Sequence, residues 1–123
     1  ISGNHECVFN QLSADIISDK ILTNCIYLQD TSVEIYGLKI HGSPWTRCSK
    51  SYGFSTRGRP QFLYSKWEMI PKDTDIVVTH LPPLNMFDLA WGAKYNFKNE
   101  CTLCGKIHKS YKHWGCKELM KHV

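Results

Sequence analysis

The stretch DIVVTHLPP, residues 75–83, constrains the fold of this chain more than any other. Ile76, Val77, Val78 and Thr79 are β-branched, and their stiff side chains suit a pleated backbone. Pro82 and Pro83 follow almost at once, removing backbone donors and forbidding the same element from continuing. The run therefore predicts a strand that stops at His80 and holds that imidazole at its tip. The opening residues, ISGNHE, read as the end of a second buried strand and a turn. Gly3 permits the sharp departure, and Asn4 and His5 project from it.

The remaining elements fall around these two tips. CIYLQD at 25–30 reads as a strand, and VEIYGLKIHGSPW at 33–45 as two strands joined near Gly37. Val8, Leu12 and Ile16 recur four apart, which predicts a short helix within 7–18. A second helix is expected over FLYSKWEMIP, ended by Pro71, and a third, amphipathic one over CKELMKHV. Residues 43–60 read as a long irregular connection, and 84–115 as a polar, cysteine-containing insertion without a period. Strands separated by longer connections, with polar residues at their tips, predict a layered α/β or αββα arrangement. Such a sheet calls for more strands than are present, so the chain reads as a piece of a larger domain.

Composition narrows the function classes. A chain of 123 residues fits one domain with a modest core. Its 42% hydrophobic content and four tryptophans fit a globular chain. The formal charge of +4 is mild and the basic residues are scattered, so a nucleic-acid polymer is not an expected partner. No apolar run reaches the length of a membrane span, and no leader-like segment is seen. Trp45, Phe62 and Trp67 read as core anchors. Arg47, Arg57 and Arg59 read either as phosphate contacts or as solvated loop residues.

The six cysteines are unevenly spaced, which points to free thiols in a reducing, cytoplasmic setting rather than a disulfide framework. Within CTLCGKIHKSYKHWGC, Cys101 and Cys104 form a CxxC pair. With His113 or His108, and with Cys116, they make a reasonable Cys3His structural zinc set. Cys116 reads equally well as a packed residue, and the thiols as free or disulfide-bonded. At the tips, the Asn4 carbonyl oxygen and the His80 imidazole are both acceptable ligands for a divalent metal. His5 beside them can protonate a leaving oxygen. The residues alone reach no further than metal-assisted chemistry.

Two blocks carry a resemblance. GNHE at 3–6 and VVTHLPP at 77–83 are similar to the third and fourth motif blocks of the calcineurin-like metallophosphoesterases. The intervening YLQDTSVEIYGLKIHGSPWT and IPKDTDIVVTHLPP, and the GC.EL pattern at 115–119, resemble the metallophosphoesterase domain-containing branch. The resemblance implies a double β-sandwich flanked by helices, a four-layer αββα fold with two divalent ions, Mn, Fe or Zn, between strand-tip loops. Asn4 and His80 would ligate one of these ions, and His5 would stand over the phosphate. The implied chemistry is two-metal hydrolysis of small phosphodiesters, cyclic nucleotides among them.

The family's first Asp/His block, its second Asp block and its Gly-His-x-His block have no counterpart here. Residues 1–123 would thus be an incomplete metallophosphoesterase domain with a variable insertion at 84–115, weakly active or inactive alone unless a complementary chain supplies the missing ligands. Leu81 stands where the branch usually carries glycine, which would put its side chain in the pocket lining. The rival expectation is a non-enzymatic binding module held by the zinc clip.

Overall fold

The computed structural model describes residues 1–48, 51–56, 59–92 and 99–123. Arg57, one of the arginines read as a phosphate contact or a solvated loop residue, lies outside the described residues. The chain divides into two compact units, residues 1–81 with His122 and residues 82–121 with Val123.

In the first unit, residues 1–3 form no strand, and Asn4 and His5 occupy a turn. The backbone then winds through a 3-10 turn (Phe9–Gln11), a single α turn, α1 (Ala14–Ile16), and a π turn (Ile17–Ile21). One helix over 7–18 does not form because Ser13 interrupts it. Ser13 is extended, and its hydroxyl accepts the Ile16 N–H, so helix winding restarts there. The restart moves the inward position by one residue: Ile17 is fully buried while Val8 and Ile16 are exposed. Residues 25–30 join no sheet either. Tyr27 is buried, and its hydroxyl bonds Ser2 and Gln29, so side-chain rather than ladder hydrogen bonds fasten this segment.

The hairpin does form. β1 (Thr31–Ile35) and β2 (Leu38–Ser43) pair antiparallel, from Thr31 opposite Gly42 to Ile35 opposite Leu38. Tyr36 and Gly37 close it with φ of 53° and 78°, the successive positive values that let a two-residue turn follow strand twist. A parallel neighbour needs a long crossover. The one that follows β2 carries α2 (Pro60–Trp67), whose Pro60 sits in the first turn, where no N–H is needed. β3 (Ile76–Thr79) then pairs parallel to β2, Ile40 opposite Ile76 through Ser43 opposite Thr79. Trp67, Leu63 and Phe54 are fully buried, and Trp45 packs edge-on against Phe54 and Phe62 at 5.6 and 4.7 Å.

The second unit contains β4 (Leu89–Trp91) and β5 (Tyr111–His113), paired antiparallel from Leu89 opposite His113 to Trp91 opposite Tyr111. These strands fall inside the segment read as aperiodic; elements this short show no period. The third expected helix contracts to a 3-10 turn, Leu119–Lys121. The molecule is therefore mixed α/β, with a sheet in the order β1-β2-β3 and a two-stranded sheet.

One buried carboxylate ties the first unit together. Asp30 accepts hydrogen bonds from Ser43 Oγ (2.7 Å) and Trp45 Nε1 (2.7 Å) and pairs with Lys66 Nζ at 2.8 Å. Its side chain is 7% exposed, and it holds φ 55° just before β1. Asp30→Ala strands two donors and a half-buried ammonium, so it should cost about 3 kcal/mol in urea unfolding. Asp73→Ala breaks the solvent-exposed Lys39–Asp73 pair and should leave the urea midpoint nearly unchanged, because water screens that pair.

His41 on β2 is buried, with Nδ1 bonded to Ser32 Oγ at 2.9 Å and Nε2 without a partner. Burial lowers its pKa from the usual 6.5, partly opposed by Asp30. The unfolded chain therefore binds this proton more readily, and stability falls as pH drops through about 6.5 toward the folded value. His41→Phe should flatten that part of the stability profile, as read from urea midpoints between about pH 7.5 and 5.

Candidate functional site

The two tips expected to form a site meet. His80, at the end of β3, directs Nε2 to Asn4 Oδ1 at 3.0 Å across 76 positions of sequence. Each partner is positioned from several sides. The His80 N–H reaches the Ser43 carbonyl at the end of β2, at 3.4 Å. The Asn4 carbonyl accepts the Gly53 N–H at 2.9 Å, and its side-chain amide points toward Cys48 Sγ at 4.0 Å. Ile1 packs onto β2 at Gly42, where an added Cβ would lie 2.7 Å from Ile1 Cγ2.

Gly3 has a second use besides the turn. A Cβ there would lie 2.9 Å from His80 Cε1 and 3.1 Å from Nδ1, so the bare backbone is the floor on which the His80 ring rests. His5 is exposed, with its ring edge-on to Tyr52 at 5.6 Å. Leu81 is buried at 6% exposure, and its carbonyl accepts Thr79 Oγ1 at 2.8 Å. Its apolar side chain is therefore packed against protein rather than open to solvent. Arg59 lines a hollow of about 210 Å³ with Asn10, Ser55, Thr56 and Phe62.

An oxygen and an imidazole nitrogen 3.0 Å apart also fit one divalent ion. Adjacent ligands of an octahedral ion with bonds of about 2.1 Å stand about 3 Å from each other. Asn4 and His80 thus suit neighbouring positions on one metal, and this chain supplies that pair. Among the described residues, a group of three or more His, Cys, Asp or Glu side chains close enough to share an ion occurs elsewhere, in the second unit.

That group is Cys101, Cys104, His108 and His113, whose ligand atoms all lie within 4.8 Å of one another. Cys116, expected as its third sulfur, is not a member. Cys116 is fully buried, its Sγ donates to Glu118 Oε2 at 3.2 Å, and it accepts the Leu119 N–H. Its carbonyl and N–H bond Leu84 and Pro82 at 3.1 and 2.8 Å. The backbone thereby commits Cys116 to packing, and both histidines, rather than one of them, stand with the CxxC pair.

Local hydrogen bonds set the charge of the group. The Leu103 N–H lowers the Cys101 thiol to about 6, with help from the Cys104 N–H and the His108 side chain. His108 is raised, first by the Tyr111 carbonyl, which accepts from Nδ1 at 2.7 Å, and then by Cys101. His113 Nδ1 lies 2.7 Å from Asp88 Oδ1, and Asp88 Oδ2 accepts the Gly115 N–H at 3.0 Å. Burial acts to raise the Asp88 carboxyl, but bonds from His113 and from the Asn85 and Gly115 backbone outweigh it and leave the carboxyl below its ordinary value. Asp88 carried no signal in the sequence; a buried carboxylate before a three-residue strand becomes legible only once β4 and β5 pair. All six cysteines are free thiols. No helix among the described residues is long and apolar enough to cross a membrane.

No family model matches the chain. Individual relatives do. Metallophosphoesterase domain-containing protein 1 of Homo sapiens is 35% identical over 144 residues, an alignment covering 100% of this chain and 39% of the relative. The Mus musculus protein of the same name gives the same values. A UPF0046 protein of Caenorhabditis elegans is 38% identical over 137 residues, covering 100% of this chain and 43% of its own. The chain thus spans about two fifths of the length of these curated relatives. Identity of this order along the whole chain, together with a GNHE turn that meets the VVTHLPP strand tip, makes the chain a member of the metallophosphoesterase domain-containing protein family.

Proposed function

We propose that the protein to which this chain belongs hydrolyses small phosphodiesters, cyclic nucleotides among them, with two divalent ions. The observation that carries this reading is the 3.0 Å approach of Asn4 Oδ1 and His80 Nε2. Asn4 and His80 would hold one ion, Mn, Fe or Zn; bound there, the ions would activate water and neutralise charge developing on the phosphoryl oxygens. The remaining ligands would come from blocks outside this sequence, in the same polypeptide or a complementary chain. The parent domain would be the four-layer αββα sandwich, with β1-β2-β3 as part of one sheet.

The placement of this chain's residues supports a role for each of them. Asn4, fixed through the Gly53 N–H, supplies a neutral oxygen donor that keeps its ligating form across the working pH range. His80 is held by its backbone bond to Ser43 and by the Gly3 floor, so its ring is oriented before any ion arrives. His5, next to Asn4 in sequence, is exposed and would donate a proton to a leaving alkoxide oxygen. The uneven cysteine spacing supports a reducing compartment, the cytoplasm.

With the whole protein, Mn and a chromogenic phosphodiester, His80→Ala should lower kcat/KM by about 100-fold or more, and His5→Ala should lower kcat by about 100-fold. Absence of turnover with Mn, Fe and Zn alike, or turnover indifferent to His80→Ala, would overturn the assignment. Gly3→Ala tests the floor. Its Cβ must displace the His80 ring, so metal affinity should fall by about 10-fold, the scale of a lost supporting contact, while the urea midpoint changes little.

A further inference from the structure

The second unit has little apolar interior. Among its described residues, Cys116 and Leu119 are its buried apolar side chains, while Leu89, Trp91, Leu103, Ile107, Tyr111 and Trp114 are exposed. Its β4–β5 ribbon pairs three residues with three, and a two-stranded ribbon of that length is marginal in water. Something other than hydrophobic burial has to hold residues 99–113 in place.

The geometry points to a structural zinc site of composition Cys2His2, formed by Cys101, Cys104, His108 and His113. The site is separate from the hydrolytic metals, lies wholly within the second unit, and does not rest on the phosphodiesterase reading. Three observations carry it. The four ligand atoms already lie within 4.8 Å of one another, while ligands of a tetrahedral zinc stand about 3.3–3.8 Å apart, given bonds of about 2.0–2.3 Å. Closing onto an ion therefore takes movements on the order of 1 Å.

The second observation is histidine orientation. Each ring commits Nδ1 to an acceptor, His108 to the Tyr111 carbonyl and His113 to Asp88. In the neutral imidazole this places the lone pair on Nε2. His113 Nε2 is buried and has no hydrogen-bond partner, an arrangement that costs free energy unless an ion occupies the position. Asp88–His113 is also the carboxylate–histidine pairing that orients imidazoles toward zinc.

Third, the cluster borders a hollow of about 310 Å³ lined by Cys101, His108, Lys112 and His113, so an ion enters without displacing packed side chains. The Lys112 ammonium stacks on the Trp114 ring, 4.2 Å from its centroid. Two thiolates and two neutral imidazoles favour zinc over harder cations, and four protein ligands close the tetrahedron without leaving a position for substrate. The ion would cross-link β5, through His113, to the CxxC turn. That turn is itself shaped by the Gly105 N–H on the Cys101 carbonyl at 2.8 Å.

Cobalt(II) provides the test because its spectrum reports ligand type. The whole protein, reduced and stripped of metal, should take up about one equivalent of Co(II) with an intense near-ultraviolet thiolate-to-cobalt band and tetrahedral visible bands, displaced by zinc. Cys101→Ser should abolish or halve the thiolate band, and Cys116→Ser should leave it unchanged. Asp88→Asn should weaken affinity by about 10–100-fold while preserving the band shape. The wild-type titration does not depend on any variant folding. Absence of the thiolate band, its loss in Cys116→Ser, or isolation of the reductant-free protein as a Cys101–Cys104 disulfide would overturn the site.

Discussion

The first unit depends on a carboxylate held away from water. Asp30 would be costly to bury alone, and its burial is compensated by three donors from three parts of the chain: Ser43 at the end of β2, Trp45 just beyond it, and Lys66 on α2. Because Ser43 is also the last β2 residue paired with β3, the carboxylate fixes the end of the sheet from which His80 projects. The Lys66 ammonium lies 5.0 Å from the Trp45 ring centroid, so the crossover helix is fastened by charge and by the aromatic cluster together. Parallel pairing of β2 with β3 has a loop-closure cost, since a long crossover separates them. The Asp30 hub and the buried Trp67 and Leu63 are what offset it.

What was legible in the sequence follows from which interactions are local. The β1–β2 hairpin needs only alternating β-branched residues and a Tyr36–Gly37 turn, and β3 needs only a β-branched run stopped by prolines; both could be read. The broken winding of 7–21 could not, because Ser13 serves as a cap rather than an interior residue only when Leu12 and Ser13 are themselves extended. Residues 25–30 have strand composition, yet Tyr27 is satisfied by Ser2, a partner that composition does not reveal. The meeting of Asn4 and His80 was anticipated through family resemblance. Gly3 as a floor for the imidazole was not, since it depends on a contact between distant segments.

In the cysteine segment, spacing alone could not separate Cys116 from the group that Cys101, Cys104, His108 and His113 form. A CxxC followed by a cysteine about a dozen residues on has the outline of a zinc knuckle. The decision is made by backbone hydrogen bonds. Cys116 lies in an isolated parallel bridge with Pro83 and exchanges bonds with Pro82 and Leu84, which turns its sulfur toward Glu118. Gly115 beside it admits Pro83, Leu84 and Asp88 so closely that a Cβ would overlap all three. The GC.EL block is therefore a packing device, and the histidine two residues before it is the ligand candidate.

His108 and His113 on one side and His80 on the other show how one side chain suits different chemistry according to which nitrogen is restrained. His108 and His113 are gripped at Nδ1 by a carbonyl and a carboxylate, which leaves Nε2 as the nitrogen able to bind an ion in the neutral ring. Soft ligands on a short, hydrogen-bonded turn suit an ion that stays bound and shapes the chain. His80 instead brings Nε2 to a neutral amide oxygen, with its other ring edge against bare backbone at Gly3. Hard oxygen and imidazole donors on an exposed strand tip suit an ion that must keep positions open for phosphate oxygens. The contrast follows from ligand type and second contacts rather than from histidine content, and it separates a donor set suited to a structural ion from one suited to a reacting ion.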